Sequence, residues 1–157
     1  MPKRSAGLLL YRDGQRGTEV LLVHPGGPFW ARKDEGAWSI PKGEIDDGEE
    51  PREAAFREFA EETGIPPPAD GAVHDLGQAK QKSGKLVRAF ATVGDLDPSR
   101  VSSNTVEIAW PPRSGRTLLM PEIDRAEWFT LAEARTKILA GQAVFLDRLA
   151  GLLTSQG

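Results

Sequence analysis

Arg57, Glu58, Glu61 and Glu62 stand within six residues of one another, in a stretch that reads as an amphipathic helix. At about 100° per residue, the three glutamates fall in one narrow arc with Arg57 at its edge. Ala55, Phe56, Phe59, Ala60 and Thr63 take the other side. Like charges this close repel and destabilise a helix unless a cation compensates. Hard oxygen ligands on a rigid element suit Mg²⁺ or Mn²⁺, ions that bind through a few carboxylates plus substrate phosphates. A solvated acidic helix face is the other reading of the same residues.

The flanking residues add weight to the first. Gly43 opens a turn, Glu49 follows six positions later, and Gly64 stands where a helix C′ glycine belongs. The whole stretch, GEIDDGEEPREAAFREFAEETGI over 43–65, resembles the signature of the Nudix hydrolases, G-x5-E-x7-R-E-U-x-E-E-x-G-U with U a bulky apolar residue. All nine fixed positions match: Gly43, Glu49, Arg57, Glu58, Phe59, Glu61, Glu62, Gly64 and Ile65. A pattern of that length is far more specific than a lone glycine motif.

The resemblance implies a fold and a chemistry. The fold is an α/β/α sandwich with a mixed central sheet, the box forming a loop–helix–loop packed on that sheet, with 1–157 a single Nudix hydrolase domain. The chemistry is hydrolysis of a pyrophosphate bond in a nucleoside diphosphate linked to another group X. Divalent ions neutralise the phosphate charge and acidify water. Glu58, Glu61 and Glu62 match the metal-binding positions. Arg57 and Glu49 match positions that support the site, Arg57 pairing with Glu49 and orienting the acids; a direct phosphate contact is the alternative for Arg57. Gly43 supplies backbone freedom. Lys42 is placed for a phosphate contact or is a solvated lysine. Glu122, six residues before Trp128, resembles an outer glutamate of several relatives. It is preferred to Glu107 as a further ligand or as the base; Glu58, or water deprotonated by the metal alone, are the other sources of base function.

The 157-residue length fits one domain with one well-buried core. No cysteine is present, which excludes disulfides, thiolate catalysis and Cys-based zinc sites, and His24 and His74 are isolated from each other. The net charge of −3 gives no electrostatic reason for a nucleic-acid polymer as partner. The apolar run near the N-terminus is too short for a signal peptide or membrane span, so a cytoplasmic location, no membrane partner, and a monomer or homodimer are expected.

The elements that must position the acids follow from periodicity. Runs 5–11 and 18–24 read as a hairpin, and 37–41 as a short strand leading into the box. Pro51 suits the first turn of a helix running to about Thr63. Strands follow at 73–80, 85–93, 105–110 and 127–129, with helices at 131–139, capped by Thr130, and at 142–153.

Substrate recognition is drawn from outside the box. Trp30, Trp38, Phe90 and Trp110 are candidates for stacking on a base or for core packing. Lys85, within the cluster Lys80, Lys82, Lys85 and Arg88, is a candidate polyphosphate contact. Arg113 and Arg116 in WPPRSGR read as an anion-binding or a solvated loop. Proline and tyrosine tags that mark ADP-ribose and dinucleoside polyphosphate hydrolases are replaced here by Lys80, Gln81, Lys82 and Ser83. WSIPKGEIDDGE nevertheless resembles the approach to the box in dinucleoside polyphosphate and inositol pyrophosphate hydrolases. The substrate class expected is therefore a nucleoside triphosphate or dinucleoside polyphosphate. The competing function is a non-catalytic Nudix-fold module that senses nucleotides or binds protein; such relatives commonly lose box acids, and this chain keeps them.

Overall fold

The computed structural model of the chain describes residues 4–68 and 71–156, with Ser155 and Gln156 described by their backbone alone. Its strands are β1 (Arg4–Gly14), β2 (Gly17–Pro25), β3 (Lys42–Glu44), β4 (Val73–Lys80), β5 (Leu86–Val93), β6 (Thr105–Ala109), β7 (Thr117–Pro121) and β8 (Ile123–Thr130). The helices are α1 (Pro51–Thr63), α2 (Leu131–Lys137) and α3 (Ala143–Gln156).

Alternating apolar residues in β1 and β2 feed two cores, as a sheet covered on both faces requires. Leu9, Val20 and Leu22 face one, with Phe145, Leu146 and Leu149 of α3. Leu8, Leu10, Leu21 and Val23 face the other, with Ala54, Ala55 and Phe59 of α1. The main sheet runs β4-β5-β1-β2-β8, with β1 and β5 parallel and the other pairs antiparallel. A mixed sheet between helical layers is the α/β/α sandwich expected.

Strand β1 is long enough to hold two partners along one edge. Its far end pairs with β2 and its near end with β3, where Ala6 stands opposite Gly43 and Gly7 opposite Lys42. This register brings the start of the box beside the sheet. Pro51 lies in the first turn of α1, and Gly64 ends it in the left-handed region at φ 72°. A Cβ at Gly64 would also run into the Ser102 carbonyl, so glycine is needed there twice over. Thr130 and Glu133 form a full capping box at the start of α2.

Two expectations are corrected. Residues 37–41 form only isolated bridges, Val23 with Ser39 and Trp38 with Ile138. Strand β2 already has β1 and β8 as neighbours along most of its length, so this segment is wedged at its end. Residues 117–121, to which the sequence assigned no element, form β7, which pairs with β6 in a separate two-stranded arm. The last strand begins earlier than 127, at Ile123. Among the described residues, no helix is long and apolar enough to cross a membrane.

Candidate active site

Arg57 is the hub of the acid cluster. Its Nε and Nη2 donate to the two carboxylate oxygens of Glu49 at 2.8 and 2.9 Å, a bidentate pair. Nη1 donates to Glu58 at 2.8 Å and Glu61 at 3.1 Å, and Nη2 also reaches the Glu44 carbonyl at 3.0 Å. The guanidinium and the Asp46 N–H hold the Glu49 carboxyl down at about 2. These carboxylates raise Arg57 in return. One cation therefore joins the loop before α1 to two of its acids.

Glu62 lines the same cavity but is not among the acids that Arg57 holds. It stands beside Lys42 and is pushed up to about 8, first by burial and then by the charges of Glu122 and Glu58, against the pull of Lys42. Burial also raises Glu58, and burial with the nearby Lys85 lowers Lys42. Gly43 leaves room for one of these groups: a Cβ there would overlap the Glu58 carboxylate. A cavity of about 500 Å³ collects Glu58, Glu61, Glu62 and Glu122 with Lys42 and Lys85. Ser5 lines it too; its hydroxyl is buried and has no hydrogen-bond partner among the described residues.

Glu122 arrives from across the sequence. The carbonyl of Thr63 accepts from the Ser102 N–H at 2.8 Å, and the carbonyl of Asn104 accepts from the Glu122 N–H at 2.9 Å. Ser103 Oγ accepts from the Ile123 N–H at 2.9 Å. Segment 102–104 thus latches the end of α1 to the start of β8.

Beside the acids lies a largely apolar cleft of about 220 Å³, walled by Val23, Pro25, Trp30, Ile123 and Leu139, with Lys42, Glu62 and Glu122 at its polar end. Trp30 sits on the 26–36 loop, whose position is fixed at both ends. The Gly26 N–H donates to the Glu122 carbonyl at 3.0 Å. Farther along, fully buried His24 bridges Asp124 at 2.9 Å and the Lys33 carbonyl at 2.6 Å. Trp38 Nε1 donates to Asp34 at 2.8 Å, and Asp34 pairs with Lys137. The wall that Trp30 forms is therefore tied to the strand that carries Glu122.

The structure brings together Lys42, Gly43, Glu58, Glu61, Glu62, Lys85 and Glu122. Arg113 and Arg116 lie on the 110–116 turn between β6 and β7 and are not among the residues lining the cavity. Glu107 is exposed on β6, outside both hollows. Trp38 and Phe90 are buried core residues, and of the four candidate aromatics Trp30 lines the cleft. Sequence reasoning missed Ser5, Ser39, Asn104 and Leu139. None carries a local signal, since each gains its place from segments far along the chain.

The donor set fits a hard divalent cation. Four carboxylates face two lysines around one cavity, and burial of Glu58 and Glu62 disfavours their charge unless a further cation compensates. The orphaned Ser5 hydroxyl offers one more oxygen to a hydrated ion or phosphate. The acids line a common wall without converging: among the described residues, no three His, Cys, Asp or Glu side chains already stand as a metal-holding group. Glu58 and Glu61 each give an oxygen to Arg57.

Comparison with known proteins agrees with this fold. The model of the NUDIX domain family matches residues 1–149, so the chain belongs to that family. An RNA pyrophosphohydrolase of Brucella anthropi is 36% identical over 104 residues, covering 58% of this chain and 55% of that protein. The chain spans about half or less of the length of the curated relatives it aligns with. In structure, the chain is similar to a C. elegans Ap4A hydrolase in a binary complex, with TM-score 0.67 and 23% identity, covering 96% and 98% of the two chains. It is also similar to the NUDIX domain of Shewanella oneidensis NrtR complexed with ADP ribose, with TM-score 0.63 and 18% identity, covering 98% and 89%.

Proposed function

We propose that the chain is a divalent-metal-dependent pyrophosphohydrolase acting on a nucleoside diphosphate linked to X, with a nucleoside triphosphate or dinucleoside polyphosphate as substrate. The observation that carries this reading is the junction of two hollows. A cavity holding Glu58, Glu61, Glu62, Glu122, Lys42 and Lys85 shares Lys42, Glu62 and Glu122 with an apolar cleft walled by Trp30 and Leu139. A charged phosphate chain and an attached base need those two environments side by side.

In this reading Glu58, Glu61 and Glu62 hold Mg²⁺ or Mn²⁺, with Glu122 as a further ligand or as the base. Bound there, the ion neutralises phosphate charge and acidifies water. Lys42 and Lys85 donate to phosphate oxygens, and the Ser5 hydroxyl adds a donor. Water attacks phosphorus, forming a new P–O bond as the bridging P–O bond breaks. The leaving phosphate takes the bonding pair, and Glu122 accepts the proton from water. Glu122 suits this step because it lies at the junction, whereas Glu58 and Glu61 are engaged by Arg57. Arg57 fixes the acids through Glu49 and does not contact phosphate.

A second reading draws on the sequence relatives named RNA pyrophosphohydrolase, and takes the triphosphorylated 5′ end of an RNA as substrate. One panel separates the readings. Nucleoside triphosphates, dinucleoside polyphosphates and 5′-triphosphorylated RNA are assayed with Mg²⁺ and with Mn²⁺, resolving products by mass. Turnover of the free nucleotides with release of a nucleoside mono- or diphosphate supports the leading reading. Turnover of the RNA alone supports the second. No hydrolysis with either metal, together with nucleotide binding, would return the chain to the non-catalytic alternative.

A further inference from the structure

Among the described residues that line the apolar cleft, Ser39 carries the one hydroxyl, and the charged groups stand together at the polar end. Ser39 is half-buried. Several backbone groups of the walls are already spent. Val23 and Ser39 exchange N–H···O bonds at 2.9 and 3.0 Å, the Leu139 N–H donates to the Trp38 carbonyl at 2.8 Å, and the Leu139 carbonyl accepts from the Gln142 N–H at 2.9 Å. What Ser39 can offer a ligand therefore matters to what the cleft selects.

The polarity of that hydroxyl is fixed from behind, by fully buried Gln142. The Ile40 N–H can only donate, and it meets one end of the Gln142 amide at 3.0 Å, which makes that atom Oε1. The other end is then Nε2. Its two hydrogens go to Gln81 Oε1 at 3.1 Å and to Ser39 Oγ at 3.0 Å. Ser39 Oγ thus accepts one bond from Gln142. Its own hydrogen goes to the Ile40 carbonyl at 2.8 Å, a shorter contact than the 3.3 Å to Gln142 Oε1. A hydroxyl has one hydrogen and two lone pairs. The hydrogen and one lone pair are committed, so an acceptor is what remains for the cleft. Turning the hydroxyl to donate there would strip the hydrogen from the carbonyl of fully buried Ile40.

A ligand group that meets Ser39 must therefore be a donor. A base carbonyl or an unprotonated ring nitrogen would set acceptor against acceptor between apolar walls, where the lost hydration is not replaced. The exocyclic amino groups of adenine, cytosine and guanine project hydrogens from the ring edge. The ring N–H of a keto base lies beside a carbonyl, which would face the same lone pair.

We propose that Ser39 is a specificity-determining residue whose hydroxyl accepts a hydrogen bond from an exocyclic amino group of the substrate's base. The inference rests on the pyrophosphohydrolase reading and narrows it to amino-bearing bases. Gln142 does not line the cleft and acts through Ser39, as a positioning residue.

The test uses pairs of nucleotides that differ only in hydrogen replacing the amino group. Adenosine triphosphate is paired with purine riboside triphosphate, guanosine with inosine triphosphate, and cytidine with pyrimidinone riboside triphosphate. In wild type, kcat/KM should be about tenfold higher for the amino-bearing member of at least one pair, the scale of one neutral hydrogen bond, and chiefly through KM. Ser39→Ala should bring that ratio close to one, and Ser39→Thr, which keeps the hydroxyl, should retain it. Circular dichroism checks the fold of each variant. A merely structural role would lower both members of a pair alike and leave the ratio unmoved. Ratios near one for every pair in wild type, or an unchanged ratio in folded Ser39→Ala, would overturn the proposal. Should wild type hydrolyse none of these compounds with Mg²⁺ or Mn²⁺, the triphosphate reading fails while Ser39 is still tested. Calorimetry with the same pairs and Mg²⁺ then decides: tighter binding of an amino-bearing member that Ser39→Ala removes supports the assignment, and equal affinities or no binding refute it.

Discussion

The acid cluster and the apolar cleft beside it are built in opposite ways. Most acids come from one helix turn and the loop before it, and one arginine binds Glu49, Glu58 and Glu61 together. The cleft is assembled from β2, the 26–36 loop, the start of β8 and the 139–142 turn. The first is organised by charge over a short stretch of chain, the second by packing over long separations. Damage should divide the same way: changes in the cluster should strike turnover, and changes in the cleft should strike affinity.

The largest effect is expected at Glu62. Glu62→Gln keeps the shape and removes the charge that would hold the ion, so turnover should fall to near background while the thermal transition is retained. Excess chelator should do the same to the wild-type chain, and full activity in either case would refute metal dependence. Next, Glu122→Gln should lower kcat by about 10²–10⁴-fold, the range for a general base, with a much smaller change in KM. Glu107→Gln, exposed on the β6–β7 arm, should be mild; the reverse ranking would move the outer acid to that arm.

Arg57→Ala tests whether the cluster is held as one unit. Metal affinity should weaken about 10–100-fold, as for lost supporting contacts around other metal sites, with a lower Tm. An unchanged metal affinity with a raised KM would make Arg57 a substrate contact instead. Trp30→Ala tests the other side of the comparison. KM should rise about tenfold with kcat little changed, as for one lost stacking contact; a loss confined to kcat would break the division between the regions.

The smallest effect concerns acid stability. The Glu49 carboxyl sits at about 2 in the fold against an ordinary 4.5. Because its folded value is depressed, its stabilising contribution is complete above the ordinary value and is lost as pH falls from there through about 2. Metal-free wild type should therefore lose stability over that window more steeply than Glu49→Gln, as read from Tm against pH. Parallel curves would show that the bidentate pair adds little.

The same contrast governs what was legible in the sequence. The glutamates, Arg57 and Gly64 announce themselves because helix periodicity and capping are local properties. The long strands were legible from their apolar runs. Strand β7 was not, since RSGRTLLMP mixes turn residues with a short, largely exposed apolar run whose partner is needed to define it. His24 and Gln142 read as ordinary polar residues; only the fold supplies Asp124 and the Lys33 carbonyl to one, and Ser39 and Gln81 to the other. Arg113 and Arg116 read from composition as an anion-binding or a solvated loop, and the fold places them on the turn between β6 and β7, outside the lining of the cavity. Residue type suggests a chemistry, whereas shared location depends on long-range pairing.

The pairing of β2 with β8 also sets an order of assembly. His24 stands opposite Arg125, so this edge of the sheet closes only when distant parts of the chain meet. A chain made from its N-terminus has helix α1 and its acids in hand well before β8 is available, and contacts of such separation close slowly. Glu122 and Ile123 are adjacent at the start of β8, so the placement of this strand brings both to the cleft. A chain lacking β8 and the residue before it would therefore lack both Glu122 and the Ile123 wall of the cleft.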